Sequence, residues 1–213
     1  MFMNYRIDRN NFYQKPKNSN VYTPPEVSQF IYELLKDKIN KKRTLFVFDP
    51  CSGIGNLLKP WKEAGYETLA NDSDTSLWKQ GLTDYDLDFL HDWKKPICPP
   101  SQLKTELKAY WLILCNPPFN GYGQKLGSEV WLDKIIELFG KEVPLVLFTP
   151  MGFRLNSKKN GKRWGKFTNN SYPPISSIIS LPRDIFPAIE FHSEILIFNI
   201  PNLQPHYFYH EIP

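Results

Sequence analysis

The sequence predicts an α/β protein: a mostly parallel sheet with helices on both faces. Three observations carry this reading. Short apolar, β-rich runs alternate along the whole chain with segments of helical period. The longest of those runs, Trp111–Cys115 and Leu145–Phe148, are strand-sized and far below the ~18 residues of a membrane span. Finally, the residues with chemistry to offer fall where strands would end, which is the ligand edge of an open parallel sheet.

The elements follow in order. Residues 1–20 are polar and read as an extension, and residues 21–213 as one domain. Thr23-Pro-Pro-Glu26 has the form of a capping box with Pro at the first helical position, so a helix should open there. Thr44–Asp49 is an apolar strand that runs into a glycine turn, and Asn56–Ala64 is the helix after it. Tyr66–Ala70 is a second strand and Asp74–Gln80 a helix, with Asp74 readable as its N-cap. Asp88-Phe89-Leu90 reads as the end of a third short strand. Trp111–Cys115 is a strong strand, and Ser128–Phe139 an amphipathic helix closed by Gly140. Val143–Thr149, Ile175–Leu181 and Glu194–Ile200 complete the sheet, and the last dozen residues read as a tail.

Composition narrows the class. At 213 residues, 41% apolar and 23% charged, the chain is a globular single domain. MFMNYRIDRN offers no apolar secretory core, so the reading is cytoplasmic, without membrane contact. Cys51, Cys98 and Cys115 are too few and too scattered for a disulfide scaffold or a zinc site. His206 and His210 have helical spacing but no helical context, so no metal is expected. The net charge of +4 hides a segregation. Val143–Arg183 contains no acid and carries +7, through Arg154, Lys158, Lys159, Lys162, Arg163, Lys166 and Arg183; the remainder sums to −3. Lys158, Lys159, Lys162, Arg163 and Lys166, interleaved with Trp164, Phe167 and Tyr172, read either as a solvated loop or as a nucleic-acid contact.

Asp49-Pro-Cys51-Ser-Gly53-Ile-Gly55 is a Gly-x-Gly turn between strand and helix, where glycine lets backbone approach a ligand. Leu58 stands where a dinucleotide fingerprint needs a third glycine, so no pyrophosphate site is completed. The acid before the turn would repel phosphate and attract a cation. Asp72 ends the second strand, where a carboxylate accepts ribose hydroxyls; Asp74 is the alternative. Together they suit a sulfonium nucleoside, S-adenosylmethionine. Asp88 could accept from an adenine amine, with Phe89 beside the ring. Thr23 reads either as a helix cap or as a holder of the ligand carboxylate. Cys51 could be read as a nucleophile, but no His is placed to activate it.

Asn116-Pro117-Pro118-Phe119 follows a buried strand. Two prolines fix the backbone, restrict Asn116 to extended conformations and leave carbonyls without competing N–H groups. An exocyclic amine on adenine is a poor nucleophile. The Asn116 side-chain oxygen and the Pro117 carbonyl could bind both its hydrogens and favour charge developing on nitrogen. Phe119 would stack on an extruded base.

On these residues the chain resembles the N6-adenine DNA methyltransferases that use S-adenosylmethionine. Tyr22-Thr23-Pro24 looks like the family's methionine-gripping motif, and Asp49–Gly55, with Cys51, like its first cofactor motif. Asp72 looks like the ribose acid, Asp88-Phe89 like the adenine pair, and Asn116–Phe119 like the catalytic tetrapeptide. The motif order is similar to the gamma arrangement. The resemblance implies a Rossmann-like class I fold with a seven-stranded sheet and an antiparallel hairpin strand, acting on DNA. It also implies a target-recognition domain, for which this chain has no separate segment, so a recognition subunit or homo-oligomer becomes an expected partner. Two alternatives stand beside it. One is an RNA or protein-glutamine amino-methyltransferase of the same fold; the other is a cofactor-binding subunit that needs a catalytic partner.

Overall fold

The computed structural model describes residues 21–39, 44–94, 110–118, 126–186 and 190–211. The helices are α1 (Pro25–Leu35), α2 (Lys59–Glu63), α3 (Thr75–Lys79), α4 (Gly127–Phe139), α5 (Gly152–Leu155) and α6 (Lys162–Thr168). The strands are β1 (Thr44–Asp49), β2 (Glu67–Ala70), β3 (Tyr110–Cys115), β4 (Leu145–Pro150), β5 (Ile175–Ser180), β6 (Ser193–Phe198) and β7 (His206–Phe208). All seven strands lie in one sheet, in the order β2-β1-β3-β4-β6-β5-β7. β6 runs antiparallel to β4 and β5, and the remaining pairings are parallel.

The central strands are apolar on both faces because both faces are covered. Successive residues of β3 point opposite ways. Leu112 and Leu114 pack with Val47, Val146 and the Phe30, Ile31 and Leu35 side of α1. Trp111, Ile113 and Cys115 pack with Phe46, Phe48 and the Trp131, Leu132 and Ile135 stripe of α4. Leu112 through Cys115 are wholly buried. This two-sided clamp leaves the strand ends as the polar edge of the sheet.

Several expectations change. The Thr23 capping box does not form: Pro24 is the N-cap of α1, and no side chain caps the helix. Pro25 takes the first helical position, and the Pro24 carbonyl accepts from Val27, Ser28 and the Ser28 hydroxyl. The Thr23 hydroxyl is left for another partner. No strand ends at Asp88. Parallel pairing beyond β2 is reduced to the Asn71–Tyr85 bridge, and Asp88 opens a turn over residues 89–92. The count of seven strands holds only because the presumed tail supplies β7. Ile178 to Ser180 pair with His206 to Phe208, and His206 Nε2 lies 2.8 Å from the Ser180 hydroxyl. Asn199 and Asn202, at φ of +59° and +61°, turn the chain back to make this possible.

The basic stretch after β4 is also not an open loop. It folds into α5 and α6 and docks through ion pairs. Arg154 grips Glu194 of β6 with both prongs at 2.9–3.1 Å, and the Glu194 side chain is only 2% exposed. Arg163 reaches Glu129 at 3.3 Å, and Lys166 sits 2.6 Å from Asp133. Phe167 and Tyr172 pack inward, their rings 5.1 Å apart. Trp164, 38% exposed, is the member of the aromatic trio that faces solvent.

Arg154→Met leaves the Glu194 carboxylate buried without its guanidinium, which should cost about 3–5 kcal/mol of stability. Denaturant unfolding will show this as a lowered midpoint, and adding Glu194→Gln should recover part of the loss.

Candidate active site

After β1 the chain turns to β2 on one side, and later returns to place β3 on the other side of β1. The crevice between β1 and β3 is therefore the switch point at which an open α/β sheet binds its ligand. Asp49 ends β1 and Asn116 follows β3, so these two residues flank it.

Asp49 is 1% exposed, and one of its oxygens accepts the Cys51 N–H at 3.0 Å. Burial, helped by the nearby Asp72 carboxylate and opposed by that hydrogen bond, pushes its carboxyl up to about 8. No cation pairs with Asp49 among the described residues, so a cationic ligand would restore the charged form.

The glycine turn is braced from two directions. The Asp72 carboxylate accepts the Gly53 N–H at 2.9 Å and the Asp74 N–H at 3.0 Å. Each oxygen keeps a lone pair for a further donor. Asn71, wholly buried, donates to the Pro50 and Leu87 carbonyls and accepts from the Leu87 N–H, joining three segments. Gly53 and Gly55 both sit at positive φ, +51° and +84°. A Cβ on Gly53 would come within 2.5 Å of the Tyr22 ring, whereas Gly55 faces open space. Tyr22 thus lies against the loop, and Asn56 secures the same segment by donating to the Thr23 carbonyl at 2.7 Å.

Asn116 completes the constellation. Its Nδ2 donates to the Thr23 hydroxyl at 3.0 Å. Its Oδ1, shielded from solvent, has no hydrogen-bond partner among the described residues. Such an orphan acceptor costs roughly 1–3 kcal/mol, and an incoming amine would satisfy it. Pro117 is buried and Pro118 exposed; Phe119 lies outside the described residues. The Cys51 and Cys115 sulfurs lie 3.7 Å apart. Burial and the neighbouring Cys115 push the Cys51 thiol well up, which makes it a poor nucleophile.

Other expected residues do not join the site as foreseen. Asp74 is the α3 N-cap, accepting from Ser76 at 2.9 Å. Phe89 is a core residue and offers no open ring face. It is 2% exposed, and its ring stacks on Trp131 at 5.2 Å, inside the core. Asp88 is exposed and engaged in its own turn, accepting from Leu90 and pairing with His91 at 2.8 Å. Partial burial pushes its carboxyl up, but the His91 and Leu90 hydrogen bonds outweigh that and leave it below its usual value. Arg163 and Lys166 are committed to Glu129 and Asp133. Lys158, Lys159 and Lys162 remain exposed, with no ion pair among the described residues. Asn56 and Asn71 carry the site's scaffolding and received no role from the sequence, although both stand beside motif residues. No cluster among the described residues could hold a metal ion.

The chain is similar to known proteins in part of its sequence and in its fold. Residues 5–86 match the family described as N-6 DNA Methylase. No curated protein sequence matches the chain. Among solved structures, a protein described as a class I S-adenosylmethionine-dependent methyltransferase from Listeria monocytogenes aligns at TM-score 0.60 and 16% identity. That alignment covers 92% of this chain and 67% of the other. The methyltransferase subunit of a type I restriction-modification system from Streptococcus thermophilus aligns at TM-score 0.55 and 19% identity, over 96% of this chain and 49% of that one. A protein described as an RNA methyltransferase from Pyrococcus horikoshii aligns at TM-score 0.54 and 15% identity, over 88% and 92%. The chain spans about half the length of the type I subunits it resembles. The fold is thus the one that a class I S-adenosylmethionine-dependent methyltransferase adopts. The N-6 DNA methylase match covers the front of the chain, less than half of its length.

The residues present fit this cofactor. Asp49 is an uncompensated acid, the glycines open the backbone, and Asp72 retains acceptor capacity. No described helix is long and apolar enough to cross a membrane.

Two outcomes follow. Gly53→Ala forces both a strained φ and a clash with Tyr22, so calorimetry should show cofactor affinity falling at least tenfold. For Asp49, the unfolded carboxyl titrates near 3.8 and the folded one near 8, so the folding penalty grows with pH across that window and is constant above it. Asp49→Asn should therefore raise the thermal midpoint of the ligand-free protein by a few degrees at pH 8, with the gain vanishing near pH 4. Melting curves across pH 4–9 measure it, and a pH-independent difference would contradict the burial argument.

Proposed function

We propose that this chain transfers a methyl group from S-adenosylmethionine to the exocyclic N6 amine of adenine in DNA. The observation that carries the proposal is the unpartnered Asn116 Oδ1, held at the switch point directly before Pro117. A methyl sulfonium supplies an activated carbon, so the protein needs no nucleophile of its own. Asn116 Oδ1 and the Pro117 carbonyl accept the two amine hydrogens, and their partial negative charge stabilises nitrogen as it becomes cationic. The nitrogen lone pair forms the new C–N bond while the C–S pair leaves with sulfur. The surplus proton departs afterwards to water, which is why no strong base is required. Asp49, Gly53, Gly55 and Asp72, with the Cys51 backbone, form the cofactor side of the crevice. Asp88 is a rim acceptor for the cofactor's adenine, and Phe119 the stacking surface for the target base.

Support for DNA comes from the N-6 DNA Methylase match and from the exposed Lys158, Lys159 and Lys162 on the segment that follows β4. Three exposed lysines can follow a phosphate backbone but do not read bases. A recognition subunit or a second copy of this chain would supply base contacts that these lysines do not make. Solved relatives described as type I modification subunits are consistent with that arrangement. The similarity to a protein described as an RNA methyltransferase keeps RNA as the second reading.

Tritiated methyl transfer to unmodified genomic DNA, total RNA and a glutamine-bearing peptide separates these readings. Label recovered as N6-methyladenine from DNA is the expected result. Label confined to RNA or peptide would overturn the DNA assignment, and cofactor binding with no transfer to any acceptor would favour the partner-dependent subunit. Changing Lys158, Lys159 and Lys162 together to Glu should weaken DNA binding and lower the salt slope by about 3, at ~0.9 for each phosphate that is no longer neutralised. Cofactor affinity should not move.

A further inference from the structure

Thr23 offers more than the cofactor contact its motif suggests. Its hydroxyl is not used to cap α1, its carbonyl is tied to the glycine loop by Asn56, and its hydroxyl accepts Nδ2 of Asn116. We propose that Thr23 is a positioning residue that sets which end of the Asn116 amide faces the crevice, and that a ligand carboxylate on the same hydroxyl locks this choice. The inference rests on the function proposed above.

A primary amide has one accepting and one donating end. Only the accepting end can bind an amine hydrogen, and a rotated Asn116 would present N–H groups to N–H groups. A hydroxyl has a single proton. While Thr23 accepts from Nδ2, its proton is available to an anion such as the methionyl carboxylate. If the amide rotated, the hydroxyl would have to donate to Oδ1 and could no longer serve that anion. Occupancy by a carboxylate-bearing ligand and the productive amide orientation therefore favour each other. The orphaned Oδ1 is the mark of this arrangement: its partner end is satisfied by Thr23, so the acceptor alone is left toward the crevice. Asn56 matters to the same device, because its bond to the Thr23 carbonyl ties the Thr23 backbone to the glycine turn.

The test compares Thr23→Val, which keeps the shape and removes the hydroxyl, with Thr23→Ser, which keeps the hydroxyl. With cofactor and acceptor both saturating, Thr23→Val should lower kcat by roughly 10–100-fold, the scale of a misplaced reacting group, while Thr23→Ser stays within about threefold of the parent. A Thr23→Val protein with unchanged kcat and only a raised cofactor KM would overturn the proposal, because Thr23 would then be a ligand holder alone. Equal losses in Val and Ser would also overturn it, as a structural effect. A second readout needs no turnover. The Asn116 side-chain amide signals, assigned through their loss in Asn116→Asp, should be protected from exchange and should shift further on adding S-adenosylhomocysteine. They should lose both properties in Thr23→Val and regain them in Thr23→Ser; signals indifferent to Thr23→Val would overturn the inference. If the parent acts on RNA or peptide instead of DNA, the function proposal fails while these ratios, read on the true acceptor, still decide this one.

Discussion

Two hydrogen bonds to Thr23, from Asn56 to its carbonyl and from Asn116 to its hydroxyl, tie the turn after β1 to the strand end of β3 through a residue that belongs to neither. The sheet supplies what those bonds need. Apolar layers on both faces hold β1 and β3 side by side, and the reversal of strand order between them opens the crevice that Asp49 and Asn116 flank. Gly53 takes its left-handed φ there without steric cost, Asp72 accepts its N–H, and the Tyr22 ring fills the space a Cβ would need. Packing, loop geometry and site chemistry are thus one construction, anchored where three sequence-distant segments meet.

Charge is distributed to match. The crevice is lined by acids and acceptors without a paired cation among the described residues, which suits a sulfonium and an amine and repels phosphate. Basic residues gather on the segment after β4, but they divide by function. Arg154, Arg163 and Lys166 fasten α5 and α6 to Glu194, Glu129 and Asp133, while Lys158, Lys159 and Lys162 stay on the surface. A count of positive charge in sequence cannot make that division, because the partner acids sit 33–40 positions away in the chain.

The parts of the site legible in sequence were those written locally. Asp49, Gly53 and Gly55 form a strand–turn–helix pattern, Asp72 and Asn116 stand at ends of apolar runs, and the Gly140 stop of α4 is a local signal. What sequence could not show depended on pairing over distance. His206–Phe208 looked like a tail because a three-residue strand acquires meaning only beside β5. Phe89 looks available to a ligand in sequence because its burial depends on Trp131 of the distant α4. Thr23-Pro-Pro-Glu26 has every local mark of a capping box, yet the hydroxyl is claimed by Asn116, 93 residues away. Phe119 lies outside the described residues, so its expected stacking role rests on sequence, as does the reading of residues 1–20 as an extension.

The central claim is that the accepting end of Asn116 activates an amine beside a bound sulfonium cofactor. Its most direct test is the rate of methyl transfer by Asn116→Ala, measured alongside cofactor affinity. The account predicts transfer reduced at least a hundredfold, the scale of losing a preorganised acceptor, with cofactor affinity within a few-fold of the parent. Transfer at an undiminished rate would contradict it.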